Sequence, residues 1–219
     1  MASFGSFDDL RQRILLECIK SANSAFDQEI PGFVTLAEAR MWYGFGKSGD
    51  PLYSAPLRCR AMETTEPEFS FTNGEAELPE DYLDKRHLYW PSNPIASPNY
   101  EAPMVFWPSR TNAQGSNRPI AYTIEGNSCF LRPAVTGDAT LLYYRKLTPL
   151  VNAGDSNWIL ANAPGAYFYG TLIEAWRFIR NADKLMEAIT AYNGIVGALN
   201  ATESRARFSG GRMVRRVTW

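Results

Sequence analysis

The chain is short of the residues that most catalytic and metal sites are built from. It holds one histidine, His87, which rules out paired-histidine metal sites. Its three cysteines, Cys18, Cys59 and Cys129, are odd in number and far apart, so they suggest neither a disulfide framework nor a CxxC site, and a reducing compartment follows. No run of eighteen apolar residues occurs, so no helical membrane span is expected. MASFGSFDDL carries acids where a secretory signal needs a basic segment and an apolar run, so the expectation is a soluble protein that is not exported by a signal peptide. No large excess of charge exists either: the net charge of -1 is not that of a dedicated nucleic-acid binder, whose domain is usually strongly basic.

Present instead is a large apolar fraction. With 45% hydrophobic and 13% aromatic residues in 219, the chain has enough to fill a core without metals or disulfides. Ser6-Phe7-Asp8-Asp9 fits a helix-capping pattern, and Leu10, Ile14, Leu15, Cys18 and Ile19 follow at helical spacing, predicting a helix over 7–27. Ile30-Pro31-Gly32 predicts a break. Thr35-Leu36-Ala37-Glu38 then reads as a second capping box ahead of a short helix that ends at Gly44 and Gly46.

Between 51 and 150 the texture changes. Most of the fourteen prolines lie there, with turn signals at Asn73-Gly74, Gly126-Asn127 and Gly137-Asp138. Residues 120–124, 129–132 and 140–145 read as strands, the first two joined by a tight hairpin, and 79–83 as a single helical turn. Helical spacing returns in Tyr167, Leu172, Ile173, Trp176 and Ile179, predicting a helix over 165–181, and in Leu185, Met186, Ile189, Tyr192, Val196 and Leu199, predicting one over 183–204. Gly194 and Gly197 inside the last helix point to close approach of a neighbouring element. The fold class is thus α+β: a helical bundle from 1–50 and 151–205, a β domain inserted at 51–150, and an extended tail over 206–219. Neither helical part hides its apolar face alone, so the two pack together.

Several chemistries are approached and missed. Gly46-Lys47-Ser48 ends like a phosphate loop, but the glycine due five residues earlier is Met41, and no strand leads in. His87 lies in LDKRHLYWP, whose alternation is that of a strand. Glu63, Glu66, Glu68, Glu75, Glu77, Glu80 and Asp81 are scattered in no ligand spacing and read as a solvated or inter-subunit face. Phe69, Phe71, Tyr82, Tyr89, Trp90, Tyr100, Phe106 and Trp107 suit a core or an interface better than stacking on sugars or bases. The expectation is no enzyme, no metal and no cofactor.

One stretch stands out by charge. SRARFSGGRMVRRVTW carries Arg205, Arg207, Arg212, Arg215 and Arg216 with no acid, broken by Gly210-Gly211, and sets Met213, Val214, Val217 and Trp219 among them. That pattern suits a segment that leaves its own fold and orders on a partner.

Taken in order, IPGFVTLAEARMW, ELPEDYLDKRHLYW, PIAYTIEGNSCFLRPA, LLYYRKLTPL, NWILANAPGAYFYGTLIEAW and SRARFSGGRMVRR resemble the adaptor proteins of tailed bacteriophages, the head-to-tail connector subunits beneath the portal, particularly of the short-tailed type. The resemblance implies a homo-oligomeric ring of twelve subunits with a central channel for double-stranded DNA, touched transiently and without sequence reading. It also implies a virion protein at the head-tail interface, assembled in the host cytoplasm, with no membrane partner. Its C-terminal residues Arg205, Arg207, Arg212, Met213, Val214, Arg215, Arg216, Val217 and Trp219 would dock on the portal, and the opposite side on a tail or nozzle protein. Residues 1–6 have no counterpart in the family, and 91–119 reads as a phage-specific contact stretch. Two other readings stand beside this one: a nucleic-acid-binding protein gripping phosphates with its arginine tail, and a carbohydrate-binding β module.

Overall fold

In a computed structural model of the chain, residues 4–18, 24–91, 97–109 and 118–208 are described. They form two compact units, one of 1–61 with 147–219 and the other of 62–146.

The helical unit begins with α1 (Phe7–Glu17), capped as expected: the Asp9 amide donates to Ser6 Oγ at 3.3 Å, and Asp9 Oδ2 accepts from the Ser6 amide at 3.1 Å. The expected single helix over 7–27 is instead α1 followed by α2 (Ser24–Tyr43), and the break foreseen at Ile30-Pro31-Gly32 is absent because α2 runs through it. Pro31 removes one helical donor, at a cost of about 3 kcal/mol. Phe26, Ile30, Phe33, Val34, Ala37 and Met41 are all buried on one stripe that crosses Pro31, and their burial outweighs that loss. Thr35 is therefore not a cap; its hydroxyl donates back to the Pro31 carbonyl at 3.0 Å.

A short α4 (Trp158–Asn162) leads into α5 (Pro164–Ile179), which starts with proline at its first position and ends at Arg180 in the left-handed region, φ 63°. The last helix, α6 (Ala182–Phe208), is longer at its C-terminal end than the periodicity predicts. α5 is the centre of the unit, packed by α1, α2, α4 and α6. Gly170 permits this: a Cβ there would meet Ala37 of α2 at 3.2 Å and Tyr192 of α6 at 3.3 Å. Gly194 and Gly197 do not behave as expected. Among the described residues nothing lies within 4 Å of a Cβ built at either, so against them each costs about 1 kcal/mol of helix propensity with no packing return.

The β unit is a sandwich. β1 (Glu63–Phe71), β7 (Gly137–Arg145) and β3 (Tyr82–Tyr89) make one antiparallel sheet in the order β1-β7-β3. The second sheet is β2 (Glu75–Glu77), β6 (Ser128–Arg132), β5 (Ala121–Glu125) and β4 (Asn99–Tyr100), in which only β4 runs parallel to its neighbour. Phe69, Phe71, Leu88, Ala139, Leu141 and Tyr143 of the first sheet face Ala76, Tyr122, Cys129 and Leu131 of the second in one core. β1 and β2 join through Asn73 (φ 51°) and Gly74 (φ 75°), a turn with two left-handed residues whose flanking Thr72 and Glu75 exchange backbone bonds of 2.8 and 3.1 Å. The expected helical turn at 79–83 is a β-turn closed by Tyr82 N to Pro79 O at 2.9 Å, because β3 starts at Tyr82 and claims the next residue's backbone. A seven-residue α3 (Pro103–Ser109) was not expected from the sequence.

Candidate assembly surfaces

The arginine segment is the first place to look. Arg205 and Arg207 fall on the last turns of α6, where the helix dipole favours positive charge. Arg212, Met213, Val214, Arg215, Arg216, Val217 and Trp219, with the Gly210-Gly211 break, lie outside the described residues, as do 92–96 and 110–117 of the 91–119 stretch.

The helix that carries Arg205 and Arg207 is held by two asparagines seven residues apart on one face. Asn193 Nδ2 donates to the Tyr53 carbonyl at 2.8 Å; Asn200 donates to the Pro56 carbonyl at 3.0 Å and accepts from the Arg58 amide at 2.8 Å. These bonds satisfy the backbone of the proline-broken 53–58 segment, which has no ladder of its own. Sequence reading passed over both residues. Their signal was a poor helix former recurring at a seven-residue interval inside an otherwise good helix.

Deeper in the same unit, charge is buried and paired. Arg40 and Glu174 are 3% and 6% exposed and meet at 2.8 Å. Arg40 also reaches Leu52 O and Ser54 Oγ at 3.3 Å and stacks on Phe45, while Arg177 shares the other Glu174 oxygen at 3.0 Å. A second network holds the strap that follows β7. Glu38 Oε1 accepts from the Leu150 amide and the Tyr167 hydroxyl, each at 2.9 Å, and Asn157 donates to Tyr167 at 2.7 Å and to the Thr148 carbonyl at 2.9 Å. Burial raises the Glu38 carboxyl above the usual range, although both hydrogen bonds oppose the rise. Asp155 turns the strap back by accepting from the Val151 and Asn152 amides, which hold its carboxyl low, and the Asp155 and Ala153 carbonyls receive the first amides of α1.

The residues weighed for chemistry are dispersed. His87 lies on β3 opposite Leu142, with its ring against Tyr89 at 4.3 Å. Glu63 is paired with Arg86 and Asp81 takes the Tyr143 hydroxyl at 2.7 Å, whereas Glu68, Glu75, Glu77 and Glu80 face solvent. Phe69, Phe71, Trp90 and Phe106 are core residues; Tyr89 and Tyr100 are exposed. Among the described residues no cluster of His, Cys, Asp and Glu is placed to hold a metal, and no helix is long and apolar enough to cross a membrane. Lys47 sits in a turn closed by Asp50 N to Lys47 O, between glycines at positive φ, with no helix N-terminus behind it.

The helical unit also leaves some large apolar side chains at its surface. Leu36 (54% exposed) and Tyr43 (62%) share a face of α2, and a groove of about 240 Å³ between α1, α5 and α6 sets Phe168, Tyr169 and Trp176 against the charged Arg13, Glu17, Lys184 and Glu187. The family model described as SU10 adaptor protein matches residues 6–216. The chain belongs to that family and is a bacteriophage adaptor, a structural component of the virion. Among curated proteins none matches it.

Proposed function

We propose that this adaptor forms the ring between the portal and the tail; what supports the reading is α6, which carries Arg205 and Arg207 to the start of a basic, glycine-broken segment. In this reading the bundle of 1–50 and 151–205 and the inserted β domain of 51–150 build a ring of twelve. Residues 206–219 leave the ring for the portal, and the opposite side meets a tail or nozzle protein. Double-stranded DNA passes through the centre, and the nearly neutral chain does not hold it.

Ordering about ten tail residues costs on the order of 10 kcal/mol of backbone entropy, and exposed ion pairs return at most about 1 kcal/mol each. Charge alone is therefore too weak, and Met213, Val214, Val217 and Trp219 supply the apolar anchors. Repetition around the ring then turns a modest affinity per tail into a stable joint. Deletion of 210–219 tests this: the shortened protein is expected to fold and to fail to join portal-bearing heads. Docking at wild-type strength would refute the assignment of the tail.

A further inference from the structure

The last helix outruns its support. α6 returns along α5, with Tyr192 at Gly170 and Ile195 at Gly165. α5 begins at Pro164, so it gives out at that level, whereas α6 runs on to Phe208. Burial stops in the same place: Ala188, Ile189, Tyr192 and Val196 are buried, and no side chain from 197 to 202 is. Of these only Leu199 and Asn200 are half-buried, and Asn200 makes the two hydrogen bonds, of 3.0 and 2.8 Å, that tie this stretch to Pro56 and Arg58. The Asn193 bond to Tyr53 lies on the packed side. Gly194 and Gly197 stand at the boundary. Two glycines within one turn weaken the helix where its packing ends, and neither has a described neighbour that a side chain would meet.

We infer that residues 198–208 form an arm hinged at Gly194 and Gly197 and parked on the 56–58 segment by Asn200. The Asn200 bonds are neutral and only partly buried, so water replaces them when the arm lifts. With no side chain at either hinge position, the backbone change meets no steric penalty. The inference rests on the reading that the tail docks on the portal: the arm aims the tail, and its swing brings the tail to its site.

The test places spin labels on the full, isolated chain at Leu36→Cys of α2 and Ala201→Cys of the arm, both exposed, while the native cysteines are buried. One narrow distance is expected. Asn200→Ala should broaden it, and Gly194→Ala with Gly197→Ala added should narrow it again. The same distribution with and without Asn200, or no narrowing by the alanines, would overturn the hinge, whether or not the ring reading holds. The second measurement uses the alanine pair with Asn200 intact. Its melting temperature is expected to hold or rise, while its joining to portal-bearing heads falls to about a tenth or less, because fewer arms reach the docking position. Wild-type joining by the pair, with joining lost on deletion of 210–219, would refute the swing and leave the tail assignment standing; wild-type joining by the deletion would refute that assignment, and the swing's purpose with it.

Discussion

The two units bury their polar groups in different places. In the helical unit, charges sit at the centre: Arg40, Glu38 and Glu174 are almost fully enclosed, and each is held by several partners from different elements. The β core is neutral. Burial pushes the Cys129 thiol up to about 12 and raises the Tyr82, Tyr122 and Tyr143 hydroxyls, so none of them ionises near neutral pH. Its ion pairs lie outside that core: Arg132, itself buried, meets a half-buried Glu101 at 2.6 Å, and Arg86 and Glu63 pair at half-buried positions. Helices that meet across α5 need specific cross-links to set which face meets which, whereas strands have register fixed by the ladder and by turn chemistry.

The sharpest way to break that contrast is Arg40→Met, which leaves Glu174 buried with only Arg177 as a charged partner and is expected to destabilise the helical unit by about 3–5 kcal/mol. Hydrogen exchange should show α5 amides losing protection while β6 and β7 keep theirs. Adding Glu174→Met should recover most of the loss, because the cost lies in the stranded charge. No recovery would mean that Arg40 acts by packing alone.

The β unit is tested through its turn. Gly74→Ala forces a Cβ to 2.6 Å from the Ala134 Cα at a positive φ, with an expected loss of about 1–3 kcal/mol in denaturant unfolding. The helical unit should be untouched.

The smallest effect is one of sign. The Glu38 carboxyl is raised in the folded protein, so its contribution is fully present below the unfolded carboxyl pKa of about 4.3 and is lost as pH rises through the folded value. Asp155, on the same strap, is lowered, so its contribution is present above the unfolded value and is lost as pH falls through the folded one. Glu38→Gln keeps the acceptor for Leu150 and Tyr167 and removes the charge. Against wild type it should therefore gain stability as pH rises from 4 toward 7, read from urea unfolding at each pH; a constant difference would contradict the burial of the charge.

Legibility followed the range of the interaction. The Ser6 cap, the Asn73-Gly74 turn, the hairpin of β5 and β6 and the apolar stripes of α5 and α6 are set by neighbours a few residues apart, and all were readable. Pro31 and Thr35 misled because local stop and start signals there are weaker than the burial of Ile30, Phe33 and Val34. Gly194 and Gly197 were read as contact points, and the described residues of the chain leave them bare. Asn193 and Asn200 were missed because their partners are backbone groups some 140 residues away.

By itself, then, the sequence determined the α+β class, the alternation of helical and strand segments, and the order of motifs that places the chain among the phage adaptors, since all three are written in spacing along the chain. Only the tertiary structure decided that α2 continues through a proline, that Arg40 pairs with Glu174 across the bundle, and that α2 and α6 leave bare faces. Those outcomes depend on which side chains meet after folding, where burial of an apolar stripe or the need to pair an enclosed charge outweighs local preference.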